Sequence, residues 1–306
     1  MHRTILSLGM ASIASLLFTS AHAADIGTDA PLTPAERAVI MEMDVWGGYL
    51  ARTGDDVIGD DEDDGLPMLG AGGMIALPLG RTGLVQIEVD GESAFHDDGL
   101  DDDTYEGGLT GGGHLAWTNE RILLGAFGGG GKVWTTEEEG PTYFGGIEGK
   151  VNFASAALGV QVGYIGADSE DGELFTDAYL VRGIGQVFFN DGRTMLQGDV
   201  AYANGTQDFD EGVGEDELDV YAWGIEVEHA PDIRFASGAL SIFGAYEGLH
   251  LVEDSDGGSA DKLTDHTFRA GLKLRFGATT PHERHRATAF DLPNIARWQG
   301  ATPAID

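Results

Sequence analysis

The chain has no cysteine, only 9 prolines, and 17 lysines and arginines against 52 aspartates and glutamates in 306 residues. Without cysteine it can form neither disulfides nor a thiolate site. A formal net charge of -35 argues against nucleic acid as a partner, because phosphate binding needs clustered Lys and Arg; cations and cationic ligands remain. Beyond the N-terminus no apolar run is long enough to cross a bilayer as a helix. Scarce proline and the lack of a Gly-X-Y period also keep the 48 glycines from meaning a collagen-like chain.

Residues 1–23 read as a secretory signal peptide: Arg3 is basic, Ile5 to Phe18 is apolar, and small Ala21 and Ala23 mark a cleavage site. Residues 24–43 read as a periplasmic N-terminal segment, in which Thr33 as N-cap and Pro34 at the first helical position predict a helix start.

From Asp44 the hydrophobic period becomes two. In "GLVQIEVDGESAF", Val85, Ile87, Val89 and Phe95 share one parity, while Gln86, Glu88, Asp90 and Glu92 share the other. "HTFRAGLKLRF" repeats this with Phe268, Leu272, Leu274 and Phe276 opposite Arg269, Lys273 and Arg275. Such segments suit a boundary between an apolar and a polar medium. Twelve strands are expected, at 44–53, 66–79, 83–95, 108–118, 121–131, 142–152, 155–166, 174–189, 193–205, 218–229, 233–248 and 264–276. Most reach the roughly 9–11 residues that a tilted membrane strand requires.

The connections alternate in length. Five are tight, at "GRTG", "TNER", "NFAS", "NDGR" and "APDI", and six are long. The long ones hold about 30 of the 52 acidic residues, with only Lys132 and Lys262 as cations. In an up-and-down meander alternate connections emerge at one end, so the acidic loops form a crown there.

Long amphipathic strands in even number, tight turns at one end and long loops at the other resemble the bacterial outer-membrane β-barrel proteins, porin-like in the broad sense. The fold expected is all-β: a closed antiparallel up-and-down transmembrane β-barrel of about 12 strands over residues 44–276. "GLKLRF" looks like the terminal strand signal of that class, yet residues 277–306 follow it and are expected as a periplasmic C-terminal tail. The resemblance implies the outer membrane of a Gram-negative bacterium, acidic loops outside, both termini periplasmic, and contact with lipid, lipopolysaccharide and the barrel assembly machinery. It implies a porin-like channel for passive diffusion of small hydrophilic solutes or ions. The alternative is a closed structural or surface-interaction barrel with cation-binding loops. A secreted propeller or solenoid competes for the same strands, but no motif repeats at the turn spacing.

No catalytic set emerges, since His114 has no serine within four residues and the other histidines are scattered. No cofactor is expected. The start of an EF-hand loop is matched by Asp60, Glu62, Asp64 and Gly65, but Ala71 stands at its twelfth position. This favours diffuse cation binding at Asp60, Asp61, Glu62, Asp63 and Asp64 over a dedicated metal site. If the apolar parity faces lipid, the pore-lining residues are Glu88, Asp90, His114, Glu148, Lys150, Arg182, Asp199, Glu226, Glu228, Arg269, Lys273 and Arg275. Both signs are present, which fits either a charged constriction or a salt-bridged interior that conducts nothing. The tail could fold back on the barrel mouth and bury Leu292 and Trp298. If the crown holds divalent cations, the protein should melt at a higher temperature in calcium than in a chelator; equal melting temperatures would remove that role.

Overall fold

The period-two segments become long strands because each presents one face to an apolar surround and the other to a central lumen. The computed structural model describes residues 38–54, 65–95, 105–119, 121–135, 139–168, 174–209, 214–254 and 261–302. The signal peptide, the Thr33–Pro34 helix start and the Asp60 to Asp64 run lie outside the described residues.

The elements are β1 (Ile40–Gly54), β2 (Gly65–Leu79), β3 (Gly83–Ala94), β4 (Tyr105–Thr118), β5 (Ile122–Thr135), β6 (Glu139–Asn152), β7 (Ala156–Ala167), β8 (Thr176–Phe189), β9 (Thr194–Phe209), β10 (Gly214–His229), β11 (Arg234–Phe235), β12 (Gly238–Asp254) and β13 (Asp261–Phe276). Two short helices follow, α1 (Pro281–Ala287) and α2 (Ile295–Gln299). Each strand is antiparallel to its neighbour, and the sheet closes through β1 on β13 and β10 on β12. The result is a closed barrel of 12 strands with the two-residue β11 as an extra. Closure leaves no edge of unpaired backbone, which lipid could not satisfy.

β1 begins at Ile40, so four residues assigned to the N-terminal segment belong to the barrel. The alternation continues through them: Ile40 and Glu42 are buried inside, Met41 and Met43 are exposed outside. The outer face is apolar, with Val45 58%, Leu115 63% and Ile147 67% exposed. Two aromatics point inward. Phe175 is fully buried at the long-loop side, and Phe188 packs on His282 and His285 with ring centroids 4.7 and 5.9 Å apart.

The larger departure concerns the tail. Residues 277–302, expected as a periplasmic extension that folds back at most onto the mouth, enter the barrel interior, and Leu292 and Trp298 pack there. Gly277, with φ of 83°, turns the chain inward at a point where any side chain would collide with the Val39 carbonyl. α1 starts with a capping box: Thr280 accepts from the Glu283 amide, Glu283 binds back to the Thr280 amide, and Pro281 sits in the first turn. His282 rests on the tight turn of Asn190, Asp191 and Gly192, its amide donating to the Gly192 carbonyl at 3.2 Å. At the other end of the barrel Gln299 Nε2 donates to the Phe175 carbonyl at 2.6 Å. The segment therefore runs the height of the lumen.

Wall glycines explain how it fits. Side chains at Gly159, Gly112 and Gly108 would strike Phe290, Leu292 and Ala296 respectively. The interior is layered around the tail. At the short-turn end Ile40, Met74, Ala76 and Leu123 pack with Ala278 and Ala289. At the long-loop end Phe175, Leu218, Leu251 and Leu263 pack with Ile295, Trp298 and Ala301. Charged residues occupy the height between these apolar layers. Twelve strands enclose more space than wall side chains alone fill, and the tail supplies the missing volume. Replacing Phe290, 1% exposed and under Lys150, by Ala should cost about 3–5 kcal/mol, read as a lower unfolding temperature of the refolded protein. An unchanged temperature would mean that the tail does not dock through this ring.

Candidate functional site

The middle of the lumen is built by inward positions of nearly every strand, two residues apart, so that Glu42, Asp44, Glu88, Asp90 and Glu92 on β1 and β3 face the interior. All twelve residues named as pore-lining point inward; Asp90 faces the cavity without a partner among the described residues, and the other eleven form two groups that meet at Arg182. Glu88, His114, Glu148, Lys150 and Arg182 lie against the tail. His114 is held between Glu148 at 2.8 Å and Glu88 at 3.2 Å. Lys150 Nζ donates to the carbonyls of His285 and Thr288, and Arg182 Nη1 to that of Asp291 at 3.0 Å. The same wall accepts tail amides: Gln86 Oε1 takes Ala289 N–H at 2.9 Å and Glu88 Oε2 takes Leu292 N–H at 3.0 Å. The irregular tail backbone thus finds the partners that a buried loop needs.

On the opposite wall the cations are matched by carboxylates. Arg275 lies between Glu42 at 2.6 Å and Glu228 at 2.8 Å. Lys273 Nζ lies 2.7 Å from Glu226 and 3.7 Å from Glu228, Arg182 Nε lies 3.3 Å from Asp199, and Arg269 pairs with Glu247. The tail adds two cations of its own. Arg284 pairs with Asp291 and lies 3.4 Å from Glu42. Arg297 donates through Nε to Glu92 at 2.9 Å and also pairs with Glu247. A guanidinium reaching two carboxylates with directed N–H groups is the strong form of such pairing.

A cavity of about 200 Å3 remains between the tail and the wall formed by β1 to β4, β8 to β10, β12 and β13. It reaches from Glu42, near the short turns, to Asp265, near the long loops, and its lining cations are Arg182, Arg269, Lys273, Arg284 and Arg297. That volume is room for several waters. Among the described residues no group of three or more His, Asp or Glu is set to hold a metal ion. His114 faces two carboxylates and is hydrogen-bonded to Glu148, an arrangement that neutralises charge.

Several residues of this site escaped the sequence pattern. Glu42 fell in the presumed N-terminal segment, Glu247 and Asp265 near expected strand ends, and Arg284, Asp291 and Arg297 in the tail. For Glu42 the signal was present, since it keeps the parity of Asp44 and Trp46. For the tail it was the Thr280–Pro281–His282–Glu283 capping pattern.

No known family model matches the chain, and no curated protein does. Solved structures do. A FadL homologue of Pseudomonas aeruginosa is 10% identical over 78% of this chain and 90% of its own, with a TM-score of 0.40. A deltaS2 mutant of the TodX monoaromatic hydrocarbon channel is 10% identical over the same shares, 78% and 90%, with a TM-score of 0.43. The KdgM porin in complex with disordered oligogalacturonate is 9% identical over 76% and 99%, with a TM-score of 0.36. All three are outer-membrane β-barrel proteins. The likeness concerns the barrel alone.

The docked tail should respond to pH through His285 on α1, which lies in the tail and not in a membrane-crossing strand. Burial, with the Arg284 and Lys150 cations beside it, holds its ring well below the ordinary histidine range. The neutral ring accepts from Gln186 Nε2 at 2.9 Å. A folded-state value below the unfolded one means that the undocked tail binds the proton better. Stability from this group is therefore complete above the ordinary value of about 6.5 and is lost as pH falls below it, by at most about 1.4 kcal/mol per pH unit. Unfolding temperature should drop between about pH 7.5 and 5 more steeply in the native chain than in His285→Gln. Equal slopes would assign the acid sensitivity to other groups.

Proposed function

We propose that the chain is an outer-membrane channel for passive diffusion of small hydrophilic solutes or ions, narrowed by its own C-terminal segment. The observation that carries this reading is the cavity beside the tail, a charge-lined space extending over much of the membrane-crossing height. A barrel with a purely structural role gains nothing from lining a cavity with charged groups, because dry packing of apolar side chains would stabilise it more. The exposed apolar band of the strands supports a bilayer around the barrel. With the short turns toward the periplasm, the tail enters from that side and the acidic loops meet the outside. There they concentrate cations within about 8 Å of the mouth at physiological salt and suit divalent cations shared with lipopolysaccharide.

In planar bilayers the full chain without its first 23 residues should give small discrete conductance steps. A chain ending at Phe276 should give steps several-fold larger. Arg297→Gln, which loses its pairs with Glu92 and Glu247, should enlarge them as well and serves if the shortened chain fails to insert. Folded, inserted protein that stays silent in all three forms would sink the channel reading and leave a structural barrel.

A further inference from the structure

On the channel reading, we propose that the path is selective for small inorganic cations and that Asp44 and Asp90 are the residues that set this selectivity. The net charge of a lumen says little by itself; what matters is which charges a passing ion finds uncompensated. Each cation on the cavity wall already has a carboxylate: Arg182 has Asp199, Arg269 has Glu247, Lys273 has Glu226, Arg284 has Asp291, and Arg297 has Glu92. An anion entering the cavity therefore meets guanidinium and ammonium groups whose fields are largely cancelled.

Two lining carboxylates are different. Asp44 on β1 and Asp90 on β3 flank Gly72 on β2 in one cross-strand row, and among the described residues neither is in an ion pair or a hydrogen bond. Lys273 stands opposite Asp44 in the register, but its Nζ is committed to Glu226 and Glu228. The two side chains lean toward each other across the glycine: a Cβ on Gly72 would collide with Asp90 Oδ1 and lie 2.6 Å from Asp44 Oδ1. Gly72 is therefore what lets both carboxylates occupy the same side of the cavity.

The row continues to Thr110 on β4, the register partner of Asp90. Thr110 also lines the cavity, is 7% exposed, and its Oγ1 has no hydrogen-bond partner. A buried hydroxyl oxygen without a partner is costly, and here it lies in line with two unpaired carboxylates. Two carboxylates close together are stabilised by a positive charge between them, a proton or a small cation that displaces it. The row Asp44, Asp90 and Thr110 offers hard oxygen donors of the kind that sodium, potassium, magnesium or calcium ions accept while keeping part of their water. Only two carboxylates contribute, fewer than a dedicated metal site needs, so ions bind weakly enough to leave, as conduction requires.

The test is the reversal potential of the full chain in a potassium chloride gradient across a planar bilayer. The native protein should prefer potassium over chloride. Asp44→Asn with Asp90→Asn should lower the permeability ratio several-fold while conductance steps persist. A variant with Asp60, Asp61, Asp63 and Asp64 all changed to Asn should lower it much less. A native preference for chloride, or a ratio unchanged in the Asp44→Asn, Asp90→Asn protein, overturns this inference and leaves the channel reading intact. A larger effect from the loop variant overturns it in favour of the crown. Absence of steps in the full chain, the chain ending at Phe276 and Arg297→Gln removes the channel reading and this inference together.

Discussion

Closing the sheet is the constraint from which the rest follows. A strand surrounded by hydrocarbon has no water for its backbone N–H and C=O groups, so β13 must return to β1. It does so with Phe276 opposite Met41 and continuous pairing to Leu263 opposite Gly54. Once twelve strands close, the circumference is fixed, and so is an interior wider than side chains from the wall can fill. The lumen must then hold water, protein or both. Here protein enters it, because Gly277 redirects the chain inward as soon as the last strand ends, and a cavity with room for several waters runs beside the insert.

Electrostatics keys the insert to its socket. The inward positions carry an excess of carboxylates, and the tail brings Arg284 to Glu42 and Arg297 to Glu92 and Glu247. Buried ion pairs stabilise little in net terms, because desolvation offsets much of the attraction, but removing one partner is severe. Their contribution here is placement. They fix the tail near both ends of the charged layer, while Gln86 and Glu88 hold its amides between them. Apolar layers lie above and below these contacts, and the cavity runs beside them along the wall where, among the described residues, Asp44 and Asp90 have no ion pair.

The strands were legible because a lipid–water boundary imposes a two-residue alternation that survives in the sequence. Val85, Ile87 and Val89 could be assigned to the outside from parity alone, and Glu88, Asp90 and Arg269 to the inside. The same logic failed where the interior is itself apolar. Leu218, Leu251 and Leu263 face inward on the polar parity, and nothing local separates an inner leucine from an outer one. Phe188 also lies on the polar parity, and its packing on His282 and His285 shows what holds it inside. The capping pattern at Thr280 was readable, but a helix start does not say where the helix goes.

The sequence by itself determined the fold class, the number of long strands and, for most positions, which side of each strand is wet. These follow from local alternation and from connection lengths. Only the tertiary structure decided what fills the lumen, which charges cancel and which stay bare. Those outcomes depend on contacts such as Arg297 with Glu92, 205 residues apart, and on glycines such as Gly72 and Gly159, whose meaning lies in what stands above them. Period and composition record the solvent that a residue faces, and they carry no record of the distant side chain it will meet.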